Sequence, residues 1–253
     1  MDQSTLTILG CCRDVSEHLS NVLKNITAIG ECFKDYSCVF IESDSNDKTL
    51  ELLRNFAKGR KVEVLSLGNL SRYVGSRTAR LEICRNLALE CARNKKTDYT
   101  LVIDMDNVGK ALTDLEGVKS NFKYDDWDVI TASNETYYYD IWALRCPGIM
   151  DYDCWIEQRA EMARGKSWEE AAGMHIGRWG REFARSLDAP LVPVRSAFNG
   201  AAFYRMSSLL DSDRYVGTHP DGTEQCEHVG LHDSIYKRGG KIYINPRFII
   251  HCH

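Results

Sequence analysis

The sequence predicts an α/β fold, with an open, mostly parallel sheet and helices on both faces. Apolar runs of strand length alternate along the chain with stretches in which apolar residues recur every three or four positions. This alternation favours a parallel sheet, because each crossover helix returns the chain to the same edge. The chain has 253 residues, of which 43% are hydrophobic, so one domain of this kind can bury a substantial core.

Four strands are predicted in the first part of the chain, and each is a short apolar run. They lie at residues 6–12, 36–42, 61–67 and 99–106. A helix is predicted after each of the first three strands. The apolar faces of these helices are, in order, Val15, Leu19, Val22, Leu23 and Ile26; Leu50, Leu53 and Phe56; and Leu81, Cys84, Leu87, Ala88 and Cys91.

The ends of the first two helices carry recognisable signals. Either Asp14 or Ser16 is the expected N-cap of the first helix, because both side chains can accept a hydrogen bond from a free backbone N–H group. Gly59 is the expected stop of the second helix.

The second part of the chain has a less regular pattern. Strands are predicted at 127–135 and 241–251, and a third strand at 192–206 contains an irregularity marked by glycine. A charged, mostly helical segment covers about 151–187, and a further helix covers 227–239. Since no linker, repeat or low-complexity tract interrupts the chain, we predict a single domain.

The composition argues against several classes of protein. The net charge is −4 and the basic residues are scattered, which disfavours a nucleic-acid surface. No apolar run approaches the roughly 20 residues of a membrane helix, and the first residues lack the features of a secretory signal. We therefore expect a cytoplasmic protein whose ten cysteines are reduced.

Polar residues follow three of the predicted strands, at 11–14, 42–47 and 104–107. The carboxyl ends of parallel strands meet at one edge of a sheet, which is where open α/β sheets bind ligands. No G-x-G-x-x-G turn and no Walker lysine loop is present. The pattern therefore predicts that any phosphate bound at this edge is held by a metal ion.

The stretch TLVIDMDN places Asp104 and Asp106 at the end of an apolar strand. Side chains alternate along an extended chain, so both carboxylates share one side while Met105 points to the other. Two like charges that close repel each other unless a cation lies between them. We therefore predict a Mn²⁺ or Mg²⁺ site, since hard divalent ions prefer carboxylate oxygens and bridge to phosphates. An ordinary solvated turn is the alternative.

Two of these segments resemble known motifs. IESDSNDKT resembles the nucleotide-binding turn of GT-A nucleotide-sugar glycosyltransferases, and LVIDMDN resembles their D-x-D motif. Five blocks, which run from RTARLEICRNLALE to CEHVGLHDSIYKRGGKIYINP, are similar in order and spacing to capsule-associated mannosyltransferase-like enzymes and more loosely to family-2 glycosyltransferases. The turn departs from family 2, which usually carries D-D-G-S where this chain has Glu42-Ser43-Asp44-Ser45.

The resemblance implies one GT-A domain over residues 1–253. Its nucleotide-binding half would cover 1–110, and its acceptor and sugar half would cover 111–253 and include the helical insert at about 151–187.

The same resemblance implies the roles of residues on the nucleotide side. Glu42 and Asp44 would contact the nucleoside, with Arg13 near the base or the phosphates. Asp104 would face the ribose or a metal-bound water, and Asp106 would coordinate the metal directly.

Further candidates complete the predicted metal and diphosphate sites. The resemblance to GT-A enzymes also implies His251 as an additional metal ligand, although His253 competes for that role and a structural or exposed histidine is the alternative. Arg80 is the arginine of its segment that we expect to reach the diphosphate, and a solvated helix start is the alternative reading.

The general base is predicted in the segment TEQCEHVGLHDS. The family-2 pattern implies that Glu227 accepts the proton of the acceptor hydroxyl, and Glu224 is a near alternative. Glu227 could instead be an acidic residue that stabilises a helix N-terminus. A further alternative is a zinc site formed by Cys226, His228, His232, His251, Cys252 and His253, but the spacing matches no standard motif.

Two further segments have the composition of a sugar pocket. Asp140 and Arg145 lie in the aromatic stretch YYYDIWALR, where charged groups can bind hydroxyls beside apolar rings. Asn199 and Gly200 lie in SAFNGAAFYR, where a missing side chain lets a substrate approach the backbone.

These observations predict a metal-dependent glycosyltransferase. It would transfer a sugar from a UDP- or GDP-sugar donor to a hydroxyl of a glycan or glycoconjugate acceptor. Inversion is the favoured stereochemistry, because the family-2 resemblance implies a base-assisted attack. The alternatives are a retaining, mannosyltransferase-like enzyme and a noncatalytic module that binds sugars or nucleotides.

Overall fold

The computed structural model describes residues 1–107 and 114–250. The strands in these residues are β1 (Thr5–Cys12), β2 (Asp35–Glu42), β3 (Val62–Ser66), β4 (Tyr99–Ile103), β5 (Val129–Ser133), β6 (Val192–Val194), β7 (Ala201–Arg205) and β8 (Ile242–Ile249). The α-helices are α1 (Ser16–Gly30), α2 (Thr49–Ala57), α3 (Arg77–Lys95), α4 (Leu115–Ser120), α5 (Cys154–Ala163), α6 (Trp168–Ala172), α7 (Arg178–Glu182), α8 (Met206–Leu210) and α9 (Glu227–Lys237). Short 3₁₀ helices occur at Leu70–Arg72 and Asn121–Lys123, and a π-helix joins α6 to α7 at Gly173–Gly177.

All eight of these strands form one sheet, in the order β3-β2-β1-β4-β7-β5-β8-β6. The four strands β3, β2, β1 and β4 are parallel to one another. Strand β7 lies antiparallel between β4 and β5, β5 is parallel to β8, and β6 is antiparallel to β8. The predicted α/β architecture with a mixed, mostly parallel sheet is therefore confirmed.

Two apolar cores lie against the two faces of this sheet. Leu9 of β1 belongs to one core, and its neighbour Ile8 belongs to the other, as expected for side chains that alternate along a strand. The same alternation places Val102 and Leu101 of β4 in different cores. Because both faces are covered, ligands reach the sheet only at the ends of its strands.

Helix α1 buries the predicted apolar face, since Val15, Leu19, Val22, Leu23 and Ile26 are all buried. The predicted cap is wrong, because Val15 occupies the N-cap position without a side-chain hydrogen bond. The first N–H groups of α1 are instead capped by two side chains at and just before the start of α2. Thr49 Oγ1 accepts from the Val15 N–H group at 2.8 Å, and Asp47 Oδ2 accepts from the Ser16 N–H group at 2.9 Å.

The other elements follow the prediction with two differences. Helix α3 buries Cys84 and Ala88 of the predicted stripe, and also Arg85 and Leu89, because it packs on the sheet and on α9. The other residues of the predicted stripe, Leu81, Leu87 and Cys91, are only partly buried. The segment predicted as one strand at 192–206 forms β6 and β7, which lie apart in the sheet. Asn199 and Gly200 turn the chain between them with positive φ angles of 55° and 92°.

None of the helices in the described ranges combines the length and apolar composition that a membrane crossing requires. The nine cysteines within these ranges are free thiols.

Candidate active site

A cleft of about 460 Å³ opens at the carboxyl ends of β1, β2 and β4. This volume lies within the usual range of small-molecule sites. All three polar clusters that follow these strands contribute to its wall. Its charged lining residues are Arg13, Asp44, Arg77, Arg80, Arg85, Asp104, Asp106, Asp140 and Glu227.

Asp44 lies in the turn after β2 and has a left-handed backbone with φ of 63°. Its Oδ1 accepts a hydrogen bond from the Ser71 N–H group at 2.7 Å, whereas its buried Oδ2 makes no hydrogen bond within the described chain. Burial raises the pKa of Asp44, but the hydrogen bonds from Ser71 outweigh it and hold the pKa below its ordinary value. The residue is therefore a buried carboxylate whose second oxygen has no hydrogen-bond partner within the described chain and faces Arg80.

Arg80 approaches the same carboxylate, with Nε 3.8 Å from Asp44 Oδ2. Its Nη1 donates to the carbonyl oxygens of Val74 and Gly75 at 2.8 and 2.7 Å, so the guanidinium is fixed. Arg13 is exposed at the rim of the cleft. Arg80 therefore places positive charge beside Asp44, and Arg13 adds positive charge at the rim of the same cleft.

Glu42 does not line the cleft. It is 2% exposed, and it accepts hydrogen bonds from the Ser45 N–H group at 2.9 Å and from the Ser66 hydroxyl at 2.6 Å. The residue therefore ties the turn that carries Asp44 to the end of β3, which is a structural contact.

Asp104 and Asp106 both line the cleft, while Met105 between them is buried. The Asp104 N–H group donates to the Gly200 carbonyl at 2.8 Å, which fixes the backbone beyond the end of β4. Burial, together with the carboxylates of Asp106 and Asp140, raises the pKa of Asp104 against the opposing effect of Arg85. The two carboxylates therefore face the same cleft and repel each other, and a divalent cation between them would relieve that repulsion.

The donor chemistry at this pair fits Mn²⁺ or Mg²⁺, because both groups offer carboxylate oxygens to the same cleft. Within residues 1–107 and 114–250, no group of three His, Cys, Asp or Glu side chains could hold a metal ion. An ion here would take its other ligands from water and substrate oxygens, which is common for Mg²⁺. The predicted ligand His251 lies outside the described residues.

Glu227 is the first residue of α9 and is 4% exposed on the floor of the cleft. Arg85 donates from Nε to Glu227 Oε1 at 2.6 Å and from Nη2 to Asp104 Oδ1 at 3.2 Å. Sequence reasoning did not single out Arg85. The available signal was an arginine one position after Cys84 and three before Ala88, on the buried side of an apolar helix.

Asp140 also lines the cleft and is held by a reciprocal pair of hydrogen bonds. Its Oδ2 accepts from the Asn199 N–H group at 3.2 Å, and Asn199 Oδ1 accepts from the Asp140 N–H group at 3.4 Å. Burial raises the pKa of Asp140. Asn199 and Gly200 are not among the residues that line the cleft; Asn199 is hydrogen-bonded to Asp140, and the Gly200 carbonyl accepts from Asp104.

Two other predicted residues lie away from the cleft. Glu224 accepts from the Ser76 hydroxyl at 2.7 Å and from the Arg77 N–H group at 3.0 Å, which places it at the N-terminus of α3. Arg145 is 4% exposed, donates to the carbonyl oxygens of Trp142 and Leu144, and pairs with Asp153 at 3.3 Å.

Of the six zinc candidates, His251, Cys252 and His253 lie outside the described residues, and no metal-binding group of side chains occurs among the residues that the structure describes. His232 is bonded to the Tyr204 hydroxyl at 2.8 Å and to the Ser196 hydroxyl at 3.1 Å. His228 stacks on Phe198 with ring centroids 3.7 Å apart. Both imidazoles are buried. His232 is a hydrogen-bonded core group, whereas His228 also lines the cleft and its two ring nitrogens have no hydrogen-bond partner within the described residues.

No protein-family model and no curated protein matches the sequence. Solved structures do match the fold. TarS 1–349 from S. aureus, in complex with UDP-GlcNAc, superposes with a TM-score of 0.54 at 13% identity and covers 95% of this chain. The mannosyltransferase PcManGT from Pyrobaculum calidifontis, in complex with GDP-Man and Mn²⁺, gives a TM-score of 0.50 at 11% identity over 96% of this chain.

The present chain spans only 55% and 56% of the lengths of these two structures. At such low identity the superpositions establish the fold and not the activity. The chain has the GT-A fold, as the resemblance of its motifs implied.

Proposed function

We propose that this protein is a metal-dependent glycosyltransferase that uses a nucleotide-diphosphate sugar. The observation that carries the proposal is one cleft in which Asp44, the pair Asp104 and Asp106, and Glu227 meet at the strand ends of a GT-A sheet. These groups supply, in turn, an acceptor for a nucleoside donor group, a cation site for a diphosphate, and a carboxylate for an incoming hydroxyl.

The two structures that share the fold carry ligands of this class. The TarS structure contains UDP-GlcNAc, and the PcManGT structure contains GDP-Man with Mn²⁺. They support a UDP- or GDP-sugar donor and a Mn²⁺ or Mg²⁺ ion for the present chain. Residues 1–107 would hold the nucleotide and the diphosphate, and residues 114–250 would supply most of the sugar and acceptor side.

The arginines of the cleft support a diphosphate as the ligand. Arg80 lies beside Asp44, and Arg13 and Arg77 lie at the exposed rim. When bound at Asp104 and Asp106, the cation would stabilise negative charge on the departing diphosphate. The arginines would add to that stabilisation without needing a proton transfer.

Glu227 would accept the proton of the attacking hydroxyl of a glycan or glycoconjugate acceptor. A positioned carboxylate typically accelerates such a step by about 10²–10⁴-fold. Its Oε1 is held by Arg85, so the other oxygen is the one that would receive the proton. A base on the acceptor side favours inversion at the anomeric carbon. Retention would instead leave Glu227 to orient the sugar.

Calorimetric titration of the purified protein tests the proposal. UDP, GDP, UDP-GlcNAc, UDP-glucose and GDP-mannose are titrated with Mn²⁺ and then with EDTA, into wild type, Asp44→Asn and Asp106→Ala. We expect one base to be preferred, binding to require Mn²⁺, and both variants to bind more weakly. Metal-independent binding that is equal in all three proteins, or no binding of any nucleotide, would contradict the proposal.

The stereochemistry needs a separate measurement. Once a donor is identified, the anomeric configuration of the product is assigned by NMR from the coupling of its anomeric proton. An inverted product supports Glu227 as the base, and a retained product assigns the enzyme to the mannosyltransferase-like alternative.

A further inference from the structure

One buried arginine joins two acidic groups that come from different parts of the chain. Arg85 lies in α3 and its side chain is 7% exposed. Its Nε is 2.6 Å from Glu227 Oε1, at the start of α9, and its Nη2 is 3.2 Å from Asp104 Oδ1, beyond the end of β4. A single guanidinium therefore connects the candidate base with the candidate metal site.

The direction of this guanidinium is fixed by its surroundings. Its central carbon lies 5.1 Å from the ring centroid of Phe198 and 6.0 Å from that of Tyr215. The planar fork of an arginine offers several donors in fixed directions, which a lysine ammonium cannot reproduce. The arrangement requires an arginine specifically, because two carboxylates in different directions must be bound at once.

Stability alone does not account for such a group. Replacing a buried ion pair by well-packed apolar residues is often neutral or stabilising, and Arg85 lies beside the buried apolar residues Cys84 and Ala88. Arg93, two turns further along α3, provides the contrast. It donates to the carbonyl oxygens of Leu209 and Ser212, which is a structural clamp away from the cleft.

We propose that Arg85 is a positioning residue that couples the divalent-ion side of the cleft to the base Glu227. This inference rests on the function proposed above. Arg85 holds one oxygen of Glu227 and leaves the other for the hydroxyl. Arg85 also competes with a cation for Asp104. When an ion binds Asp104, Glu227 is the carboxylate that remains bound to the guanidinium.

This arrangement predicts opposite changes in two measured quantities. Removing the positive charge of Arg85 should strengthen Mn²⁺ binding, because like charges repel at short range in a poorly solvated site. The same change should slow turnover, because Glu227 loses the contact that orients it, and a misplaced catalytic group can cost about a hundredfold. If Arg85 were purely structural, the same substitution would weaken Mn²⁺ binding and slow turnover together.

The experiment compares wild type with Arg85→Met, Arg85→Lys and the control Arg93→Met. Mn²⁺ affinity is measured by electron paramagnetic resonance with the nucleoside diphosphate that wild type binds, and turnover is measured as nucleotide release from the sugar nucleotide. For Arg85→Met we expect Mn²⁺ to bind on the order of tenfold more tightly while turnover falls about a hundredfold. Arg93→Met should lower the melting temperature and leave Mn²⁺ affinity and turnover unchanged.

Arg85→Lys keeps the positive charge but loses the planar arrangement of donors. It therefore tests the inference even if Arg85→Met does not fold. We expect its Mn²⁺ affinity and its KM for the donor to remain near wild type while kcat falls. Wild-type kcat in Arg85→Lys, or weaker Mn²⁺ binding in Arg85→Met, overturns the inference. A failure of the proposed function itself is seen earlier, as wild-type protein that binds no nucleotide with Mn²⁺.

Discussion

The two parts of the chain build the cleft in different ways. Residues 1–107 reach it through regular strand ends, so Arg13, Asp44 and Asp106 follow directly from β1, β2 and β4. Residues 114–250 reach it through contacts between distant segments. Asp140 is held by Asn199, 59 positions away, and Glu227 is held by Arg85, 142 positions away.

This difference shows what each part of the site depends on. On the first side the order of strands and helices suffices, because parallel strands bring their ends to one edge. On the second side a buried charge needs a partner that lies elsewhere in the sequence, because an unpaired charge in the interior is costly. Substitutions on the first side should therefore change ligand binding and turnover more than the free energy of unfolding. Some substitutions on the second side should change the free energy of unfolding more than ligand binding.

The largest effect is expected on the strand-end side, for Asp106→Ala. Metal-dependent turnover should be abolished, because one of the two carboxylates offered to the cation is removed. The free energy of unfolding should change by no more than about 0.5 kcal/mol, since the side chain is exposed. Turnover with and without EDTA, together with urea unfolding, measures both. Near-normal turnover that EDTA does not affect would show that no metal acts at this pair.

The next effect separates two glutamates that are three positions apart. Glu227→Gln should lower kcat by about 10²–10⁴-fold, because the amide cannot accept the proton. Glu224→Gln should leave kcat near wild type and cost about 0.5 kcal/mol of stability at the N-terminus of α3. Steady-state kinetics and chemical unfolding of the two variants show which glutamate is the base. The reverse ranking of kcat would move the base to Glu224.

A third prediction concerns a residue of the second part that lies outside the cleft. Arg145→Met should lower the free energy of unfolding by about 3 kcal/mol, because Asp153 remains buried without its cation. The KM for the donor should change little in protein that remains folded. Chemical denaturation and donor kinetics measure the two effects. A large rise in KM without loss of stability would instead support the predicted contact with a sugar.

The last effect, and for each pH unit the smallest, is a pH dependence in the buried network of the second part. Burial lowers the pKa of His232 to about 3, whereas an unfolded histidine titrates near 6.5. Between these values the unfolded state binds the extra proton, so this group makes the protein less stable as the pH falls, by about 1.4 kcal/mol per pH unit.

The control for this prediction is His232→Gln, which cannot titrate. Unfolding free energies of both proteins are compared from pH 6.5 downward. The difference between them should shift by about 1.4 kcal/mol for each unit, with wild type losing stability faster. Parallel curves would mean that His232 is protonated in the folded state.

Several features of the fold were predictable from local pattern. The strands before residue 107 and helices α1, α2 and α9 follow the apolar periodicity of the sequence. The N-cap of α1 was not predictable, because its acceptors Asp47 and Thr49 belong to a later segment. The division of 192–206 into β6 and β7 was also not predictable from the sequence, since strand pairing is a tertiary property.

The sequence by itself determined the alternation of strands and helices up to β4 and the acidic groups at the strand ends, because periodicity and strand-end chemistry are local. Only the tertiary structure decided that Glu42, Glu224 and Arg145 take structural contacts. The fold alone also brought Arg85 between Glu227 and Asp104. The physical reason is that a buried charge is defined by its partners, and those partners are distant in sequence.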